Sequence, residues 1–272
     1  MNIFTGVLTD TGTTKDINQD SCMVKIARMH DGRRISLAVI CDGMGGLACG
    51  EMASSVFVKR MEKWFYEELP EILSQRAVTT QLDNSSGDGM QSEDRIWANI
   101  QYSWSNIVAS MNYEIAGFGR KRGMALGTTC VSQLIIDDKY VAMWVGDSRL
   151  YEASNDGITL LTHDHSLVQQ QIDRGQLTEN DAKTSNHKSV LLQCIGASEE
   201  VRPDFITGQI GDGKSYILCS DGLWRELKGD ELRAISTEST DLDGNAAKLV
   251  NLVKQRGETD NITVVLINCR VA

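Results

Sequence analysis

The chain has 272 residues, of which 37 are Asp or Glu and 27 are Lys or Arg, so its formal net charge is −10. About 41% of the residues are hydrophobic and 24% are charged, a composition that supports a substantial apolar core and excludes an intrinsically disordered chain. Because no Lys/Arg-rich stretch offsets the negative charge, binding to nucleic acid is disfavoured.

The cysteines and the apolar runs indicate the compartment. The seven cysteines form no Cys-x-x-Cys pair, so we expect buried reduced thiols rather than disulfides or a zinc site. No signal-peptide pattern opens the sequence, and no run of about 18 or more apolar residues occurs. We therefore expect a cytoplasmic protein without a membrane anchor, and a monomer.

The first elements are a β-hairpin and two helices. The strand-like runs CMVKIAR and RISLAVICD flank a turn at Asp31-Gly32. Apolar residues at helical spacing then predict a helix from Ala53 and a second helix through 96–115, with the polar segment 79–94 as a loop. The first stripe is Val56, Phe57, Met61, Trp64 and Phe65, interrupted by Arg60. In the second stripe, Trp97 and Trp104 fit core packing better than a ligand-binding box.

From Gly127 onward the pattern is mainly of strands. Runs joined by tight turns at Asp137-Asp138 and Asp147-Ser148 predict a β-meander. Two short helices are expected, one after Ser166 and one capped at Thr178. A strand at KSYILCSDG, a helix over 243–255 and a final apolar strand at NITVVLINC complete the chain. Grouped helices and meandering strands favour two packed antiparallel sheets covered by helices, an α+β fold, over a parallel Rossmann sheet.

Four aspartates share one sequence context, an apolar strand beside an Asp that is followed by Gly, Ser or Asn. They are Asp42, Asp147 and Asp221 at strand ends and Asp260 just before a strand. Each alone is ordinary turn chemistry. Together, carboxylates at one sheet edge would repel unless a cation neutralised them, and without a zinc-type His or Cys set the cation would be Mg²⁺ or Mn²⁺. The glycines after Asp42 would let the Gly43 carbonyl approach an ion, although a flexible strand-to-helix turn is the alternative.

Five motifs in order resemble those of the metal-dependent serine/threonine protein phosphatases, the protein phosphatase 2C or PPM family, bacterial branch. They are DGMGG at Asp42, LGTT at Gly127, GDSR at Gly146, LCSDGL at Leu218 and TDNITVV at Thr259. The resemblance runs from about residue 5 to residue 269. It implies a single phosphatase domain over 1–272, a four-layer α-β-β-α sandwich, with a flap at about 165–189.

The resemblance also implies roles for the aspartates at a binuclear Mg²⁺/Mn²⁺ centre. Asp42 would bridge the two ions, and the Gly43 carbonyl would bind one of them. Asp221 and Asp260 would hold the other, and Asp147 a third, weaker ion. A hydroxide shared by the two ions would then attack the phosphorus of phosphoserine or phosphothreonine in line.

The amino-terminal motif departs from the family pattern at two positions. The family arginine that grips the substrate phosphate aligns with Lys15, which offers a point charge in place of a planar fork. The family Glu is Gln19, while Asp20 remains as a direct or water-mediated metal ligand. These departures leave open a regulatory pseudophosphatase that binds phosphoproteins with little turnover.

The general acid is not identified by the sequence. His163 and His165 lie at the start of the expected flap, where a proton-donor or metal role competes with a loop-ordering hydrogen bond. A metal-bound water could protonate the leaving oxygen instead. The expected partners are phosphorylated proteins and a Ser/Thr kinase. A protein-interaction scaffold that binds no metal is a third reading.

Overall fold

The computed structural model describes residues 1–45, 49–82, 92–154 and 156–270. The strands are β1 (Asn2–Asp10), β2 (Asp20–Arg28), β3 (Arg34–Gly45), β4 (Leu126–Thr128), β5 (Cys130–Ile136), β6 (Lys139–Val145), β7 (Arg149–Ser154), β8 (Gly157–Leu160), β9 (Asp204–Gln209), β10 (Ser215–Cys219) and β11 (Ile262–Arg270). The helices are α1 (Gly50–Leu82), α2 (Ser92–Arg122), α3 (Leu167–Asp173), α4 (Glu179–Thr184), α5 (Asp221–Trp224), α6 (Gly229–Ser236) and α7 (Leu242–Gln255).

The strands form two antiparallel sheets. One has the order β1-β11-β10-β7-β8, and the other has the order β2-β3-β5-β6-β9 with β4 paired to the end of β3. The predicted hairpin at Asp31-Gly32 is confirmed, because β2 and β3 pair from Asp20↔Asp42 to Arg28↔Arg34. The expected two-sheet fold with flanking helices is also confirmed.

Alternation along the strands produces the layers. On β3, Leu37, Val39 and Cys41 face α1 and α2, whereas Ala38 and Ile40 pack against the other sheet. That is the two-residue period of a strand buried on both faces. The outer face of the five-stranded sheet is covered by α5, α6 and α7. Helix α7 packs against this face with buried apolar residues at helical spacing.

The two long helices follow the predicted stripes with two corrections. Val56 is 39% exposed, so the apolar face of α1 is narrower than expected and is formed by neighbours such as Phe57 and Met61. The ends of the expected loop are helical, because α1 continues to Leu82 and α2 begins at Ser92; the rest of that loop lies outside the described residues. Trp104 is fully buried with its ring 5.3 Å from that of Trp64, which supports core packing.

The expected meander is wrong at one of its two turns. The turn at Asp137-Asp138 joins β5 and β6 as neighbours in one sheet. After β6, the chain crosses to the other sheet, where β7 pairs with β10 and β8. Gly146, at φ +102°, provides the backbone conformation at this crossing. Asp147 therefore lies between the sheets rather than at the tip of a hairpin.

The carboxyl-terminal half contains both confirmed and missed elements. The short helices α3 and α4 begin at the predicted caps, Ser166 and Thr178. The terminal helix and strand are present as α7 and β11, whereas β9, α5 and α6 were not predicted. All seven cysteines are free thiols, and five are buried. Within the described parts of the chain, no helix is both long and apolar enough to cross a membrane.

Candidate metal centre

Five aspartates from both sheets meet at one edge of the sandwich. Asp20 and Asp42 are register partners on β2 and β3. Asp147 follows β6, Asp221 follows β10, and Asp260 precedes β11. Contrary to the sequence interpretation, β3 does not end at Asp42 but continues through Gly45 and pairs with β4. The carboxylates influence one another electrostatically, so the structure brings the predicted residues together.

Asp20 is held by two side-chain hydrogen bonds from the other sheet. Its Oδ2 atom accepts hydrogen bonds from Ser220 Oγ (2.8 Å) and Thr263 Oγ1 (2.7 Å), which tie β2 to the other sheet. Its Oδ1 atom is buried and has no hydrogen-bond partner. Burial raises the pKa of Asp20 to about 7; the two hydrogen bonds oppose this rise, and the charges of Asp221 and Asp260 add to it.

Asp42 is held by its backbone at the centre of the group. Its N–H donates to Thr129 Oγ1 (3.0 Å), and its carbonyl accepts from Thr129 N (2.9 Å) and Thr128 Oγ1 (3.0 Å). Burial, followed by the charges of Asp20, Asp221, Asp147 and Asp260, raises the pKa of Asp42 well above its usual range. Carboxyl groups that interact in this way are stable together only when protons or a cation neutralise them.

Gly43 is fixed by close packing. Its N–H donates to the Gln19 carbonyl (3.1 Å), and it pairs with Thr128 in the β3–β4 ladder. A Cβ atom at this position would collide with the Gly50 carbonyl at the start of α1. The glycine is therefore required for the contact between β3 and α1, whether or not its carbonyl binds an ion.

Asp221 and Asp147 share a cation that the sequence interpretation missed. Arg225 Nη2 lies 2.7 Å from Asp221 Oδ2 and 3.5 Å from Asp147 Oδ2. Asp221 Oδ1 is buried without a partner. Burial and the Asp221 and Asp164 charges raise the pKa of Asp147 to about 8, despite the opposing charges of Arg225 and Arg149.

The turn that carries Asp147 is held from two sides. Trp224 Nε1 donates to the Asp147 carbonyl (3.0 Å). On the other side, the His165 N–H donates to the Gly146 carbonyl (2.8 Å), and His165 Nδ1 accepts from the Gly146 N–H (3.3 Å). That pattern places the ring proton on Nε2, which faces Asp204 Oδ2 at 3.1 Å.

Both histidines therefore form loop-ordering hydrogen bonds. His165 supports the Asp147 turn, and His163 Nε2 lies 2.8 Å from Asp173 Oδ2 at the end of α3. Neither contact involves the aspartate cluster. The loop-ordering alternative of the sequence analysis is the one that the geometry supports.

Lys15 and Gln19 lie on the loop between β1 and β2. Lys15 Nζ is 3.1 Å from Asp260 Oδ1, in a pair whose side chains are 45% and 39% exposed. Asn261 organises this loop: its Nδ2 donates to the Thr11 and Ile17 carbonyls, and its Oδ1 accepts from the Gln19 N–H (2.9 Å). Lys15 is thus positioned beside the cluster and remains accessible.

For some of the residues that support the aspartates, the sequence contains a feature from which their role could have been predicted. Arg225 follows Asp221 by four residues in DGLWR, the spacing of an ion pair on one helical turn. Asn261 lies in the TDNITVV motif without an assigned role. Ser220 and Thr263 are ordinary strand-end residues, and nothing in their local sequence marks them as partners of Asp20.

The donors at this edge suit a hard divalent cation in kind. The converging side chains are carboxylates, the oxygen ligands that Mg²⁺ and Mn²⁺ prefer. The partnerless buried atoms Asp20 Oδ1 and Asp221 Oδ1 would each gain a partner from such an ion. In the described ranges, no three Asp, Glu, His or Cys side chains are close enough together to hold an ion between them. Arg225 and Lys15 instead contact oxygens of Asp221 and Asp260.

Comparison with known proteins identifies the group to which this site belongs. The family model described as protein phosphatase 2C matches residues 12–236. The chain belongs to the protein phosphatase 2C family. It is 32% identical over 266 residues to protein phosphatase PhpP of Streptococcus pneumoniae, with 96% of each chain covered. The expected family and enzyme class, a bacterial-type serine/threonine protein phosphatase, are therefore confirmed.

Solved structures agree with this assignment. The serine/threonine phosphatase of S. agalactiae superposes with a TM-score of 0.76 at 29% identity and covers 99% of this chain and 100% of its own. The catalytic domain of the serine/threonine protein phosphatase PstP, solved in complex with two manganese ions, gives a TM-score of 0.71 at 24% identity, with 99% of both chains covered. The second likeness shows the fold, which is the α-β-β-α arrangement described above.

Proposed function

We propose that this phosphatase holds two divalent cations, Mg²⁺ or Mn²⁺, at the aspartate cluster. The proposed ligands are Asp20, Asp42, the Gly43 carbonyl, Asp221 and Asp260. The observation that carries the proposal is the convergence of buried carboxylates from both sheets, with two buried oxygen atoms that lack any partner. Five carboxylates at one sheet edge are stable together only if protons or cations neutralise them. Cations, unlike protons, leave the carboxylates ionised at neutral pH and able to act as ligands.

When bound, such cations lower the pKa of a shared water and neutralise phosphoryl oxygens. The residues of the chain supply the rest. Ser220 and Thr263 hold Asp20 through its Oδ2 atom, so that the partnerless Oδ1 atom remains available to an ion. Thr129 fixes the backbone of Asp42. Ligands oriented by a second set of hydrogen bonds need little rearrangement when they bind an ion.

Lys15 is proposed to bind the substrate phosphate. Its ammonium group lies at the exposed rim of the cluster, where a pair with Asp260 contributes little stability because solvent screens it. Lys15 can therefore exchange Asp260 for an incoming phosphoryl oxygen at low cost. A phosphoserine or phosphothreonine side chain would enter at this rim.

The proposal also includes a flap, a single domain, a cytoplasmic location and a monomeric state. The segment at about 165–189 is proposed as a flap, because α3 and α4 are short and contain no fully buried residue among those described, and because the Lys188 carbonyl accepts from Arg225 Nη2 (3.5 Å) beside the site. A single domain over the chain is supported by the pairing of β1 with β11. Free thiols support a cytoplasmic location. We further propose that the protein is a monomer and that its substrates are proteins phosphorylated by a Ser/Thr kinase.

The test is Mn²⁺-dependent hydrolysis of a phosphothreonine peptide and of p-nitrophenyl phosphate. We expect Asp42→Asn to lose at least about 100-fold in kcat/KM, since it removes a ligand whose supporting contacts alone are worth about 10- to 100-fold. The matched control is Asp138→Asn, an exposed aspartate at the opposite ends of β5 and β6, which should retain activity. Turnover that persists in EDTA, or equal activity of the two variants, would contradict the proposal. Metal binding without turnover would favour the pseudophosphatase.

A further inference from the structure

The aspartate cluster contains a guanidinium group at its buried end. Arg225 Nη2 contacts Asp221 Oδ2 at 2.7 Å and Asp147 Oδ2 at 3.5 Å. The side chain of Arg225 is 18% exposed, and those of Asp221 and Asp147 are 10% and 6% exposed. One guanidinium group is therefore placed between two nearly buried carboxyl groups.

The local sequence makes this arrangement persistent. The Arg225 N–H donates to the Asp221 carbonyl (3.1 Å), which closes one helical turn and puts both side chains on one face. Trp224, between them in the chain, donates to the Asp147 carbonyl and stacks on Arg149, whose guanidinium carbon lies 3.4 Å from the ring centroid. The same turn of helix thus positions Arg225 and the backbone of Asp147.

The Arg225 guanidinium is not readily replaced by a metal ion. A guanidinium cannot lose its proton under ordinary conditions. A Mg²⁺ ion between Asp147 and Asp221 would require oxygens at about 2.0–2.1 Å, in the space that Nη2 fills. Two cations there would also repel each other.

We propose that the Arg225 guanidinium is a permanent cation of the aspartate cluster and takes the place of a third divalent ion between Asp147 and Asp221. Asp147 is then the partner of an arginine rather than a metal ligand. Arg225 is a positioning residue: it holds Asp221 through Oδ2, and the partnerless Oδ1 remains available to an ion. This inference rests on the proposed two-cation function and adds that a side chain sets the number of ions.

The experiment counts bound Mn²⁺ by titrating the whole protein and following the electron paramagnetic resonance signal of the free ion. We expect two ions per chain in the wild type and two in Asp147→Asn. Arg225→Met should bind a third, weaker ion, because it vacates the space and removes the competing charge. Adding Asp147→Asn to Arg225→Met should return the count to two, since it removes one of the two ligands.

Arg225→Lys is the matched control, because it keeps a positive charge within reach of Asp221 and should stay at two ions. A third ion in the wild type that Asp147→Asn abolishes would overturn the inference, as would a count of two in folded Arg225→Met. If Arg225→Met does not fold, the wild type and Asp147→Asn still decide. A wild type that binds no Mn²⁺ would overturn the proposed function and this inference together, whereas three ions in the wild type, one of them lost in Asp147→Asn, would overturn this inference and leave the proposed function standing.

Discussion

The two ends of the aspartate cluster are paired with cations in opposite ways. At the buried end, Arg225 contacts Asp221 and Asp147 through side chains that are at most 18% exposed. At the exposed end, Lys15 contacts Asp260 through side chains that are 45% and 39% exposed. Exposed pairs contribute about 0–1 kcal/mol, whereas breaking a buried pair costs about 3–5 kcal/mol.

This difference separates two tasks that both require positive charge. The buried arginine neutralises carboxylates that the fold has forced together, so its loss should affect stability and ion binding. The exposed lysine costs little to release from Asp260, so its loss should affect the substrate.

The largest expected effect is on the pH dependence of stability without metal. The raised pKa values of Asp20 (about 7) and Asp147 (about 8) mean that the folded state binds protons that the unfolded state has released. Stability is therefore fully present below the unfolded pKa and falls as pH rises through the folded pKa values. In EDTA, the free energy of unfolding should fall by several kcal/mol between about pH 5 and about pH 8, since one unit of pKa shift is about 1.4 kcal/mol.

Urea unfolding followed by tryptophan fluorescence measures this slope. Excess Mn²⁺ should flatten it, because the ions replace the protons, and Asp147→Asn should reduce it. Asp138→Asn should leave it unchanged, since this residue lies far from the cluster. A flat profile in EDTA would show that the carboxylates are not coupled to folding.

The next effect concerns Arg225 itself. Arg225→Met should lower the free energy of unfolding at about pH 9 in EDTA by about 3 kcal/mol, because above the folded pKa of Asp147 it leaves two ionised buried carboxylates without their cation. Arg202, paired with Glu200 through side chains that are 79% and 71% exposed, supplies the control. Arg202→Met should cost less than about 0.5 kcal/mol. Equal losses in the two variants would remove the distinction between the buried and exposed ends.

Sequence reasoning recovered the aspartates of the site better than their surroundings. Strand patterns next to Asp42, Asp221 and Asp260 are local features, and the two-sheet fold follows from the same alternation. Whether the chain turns back or crosses to the other sheet after an Asp is not local, so Asp147 was misplaced in a hairpin. Arg225 was missed because DGLWR was read as a turn rather than as a helical turn.

At the exposed end, Lys15→Met should reduce kcat/KM on a phosphothreonine peptide by roughly 10- to 100-fold. The reason is that a hydrogen bond to a charged group is worth about 1.5–3 kcal/mol, while about 1.4 kcal/mol corresponds to a tenfold change. The free energy of unfolding should change by less than about 0.5 kcal/mol. Lys248→Met, which breaks the exposed ion pair between Lys248 and Glu238, is the control. A large loss of stability with unchanged kcat/KM would reverse the roles of the two ends.

The smallest effect is expected from Lys15→Arg. A planar guanidinium can bind two phosphoryl oxygens at once and loses less side-chain freedom for each hydrogen bond, so inhibition by inorganic phosphate should strengthen about two- to fivefold, or about 0.5–1 kcal/mol. Stability should not change. Arg225→Lys, the opposite exchange at the buried end, should lower stability and leave phosphate inhibition almost unaltered. If both exchanges changed phosphate inhibition equally, Arg225 would share the substrate with Lys15, and the two ends would form one phosphate-binding surface.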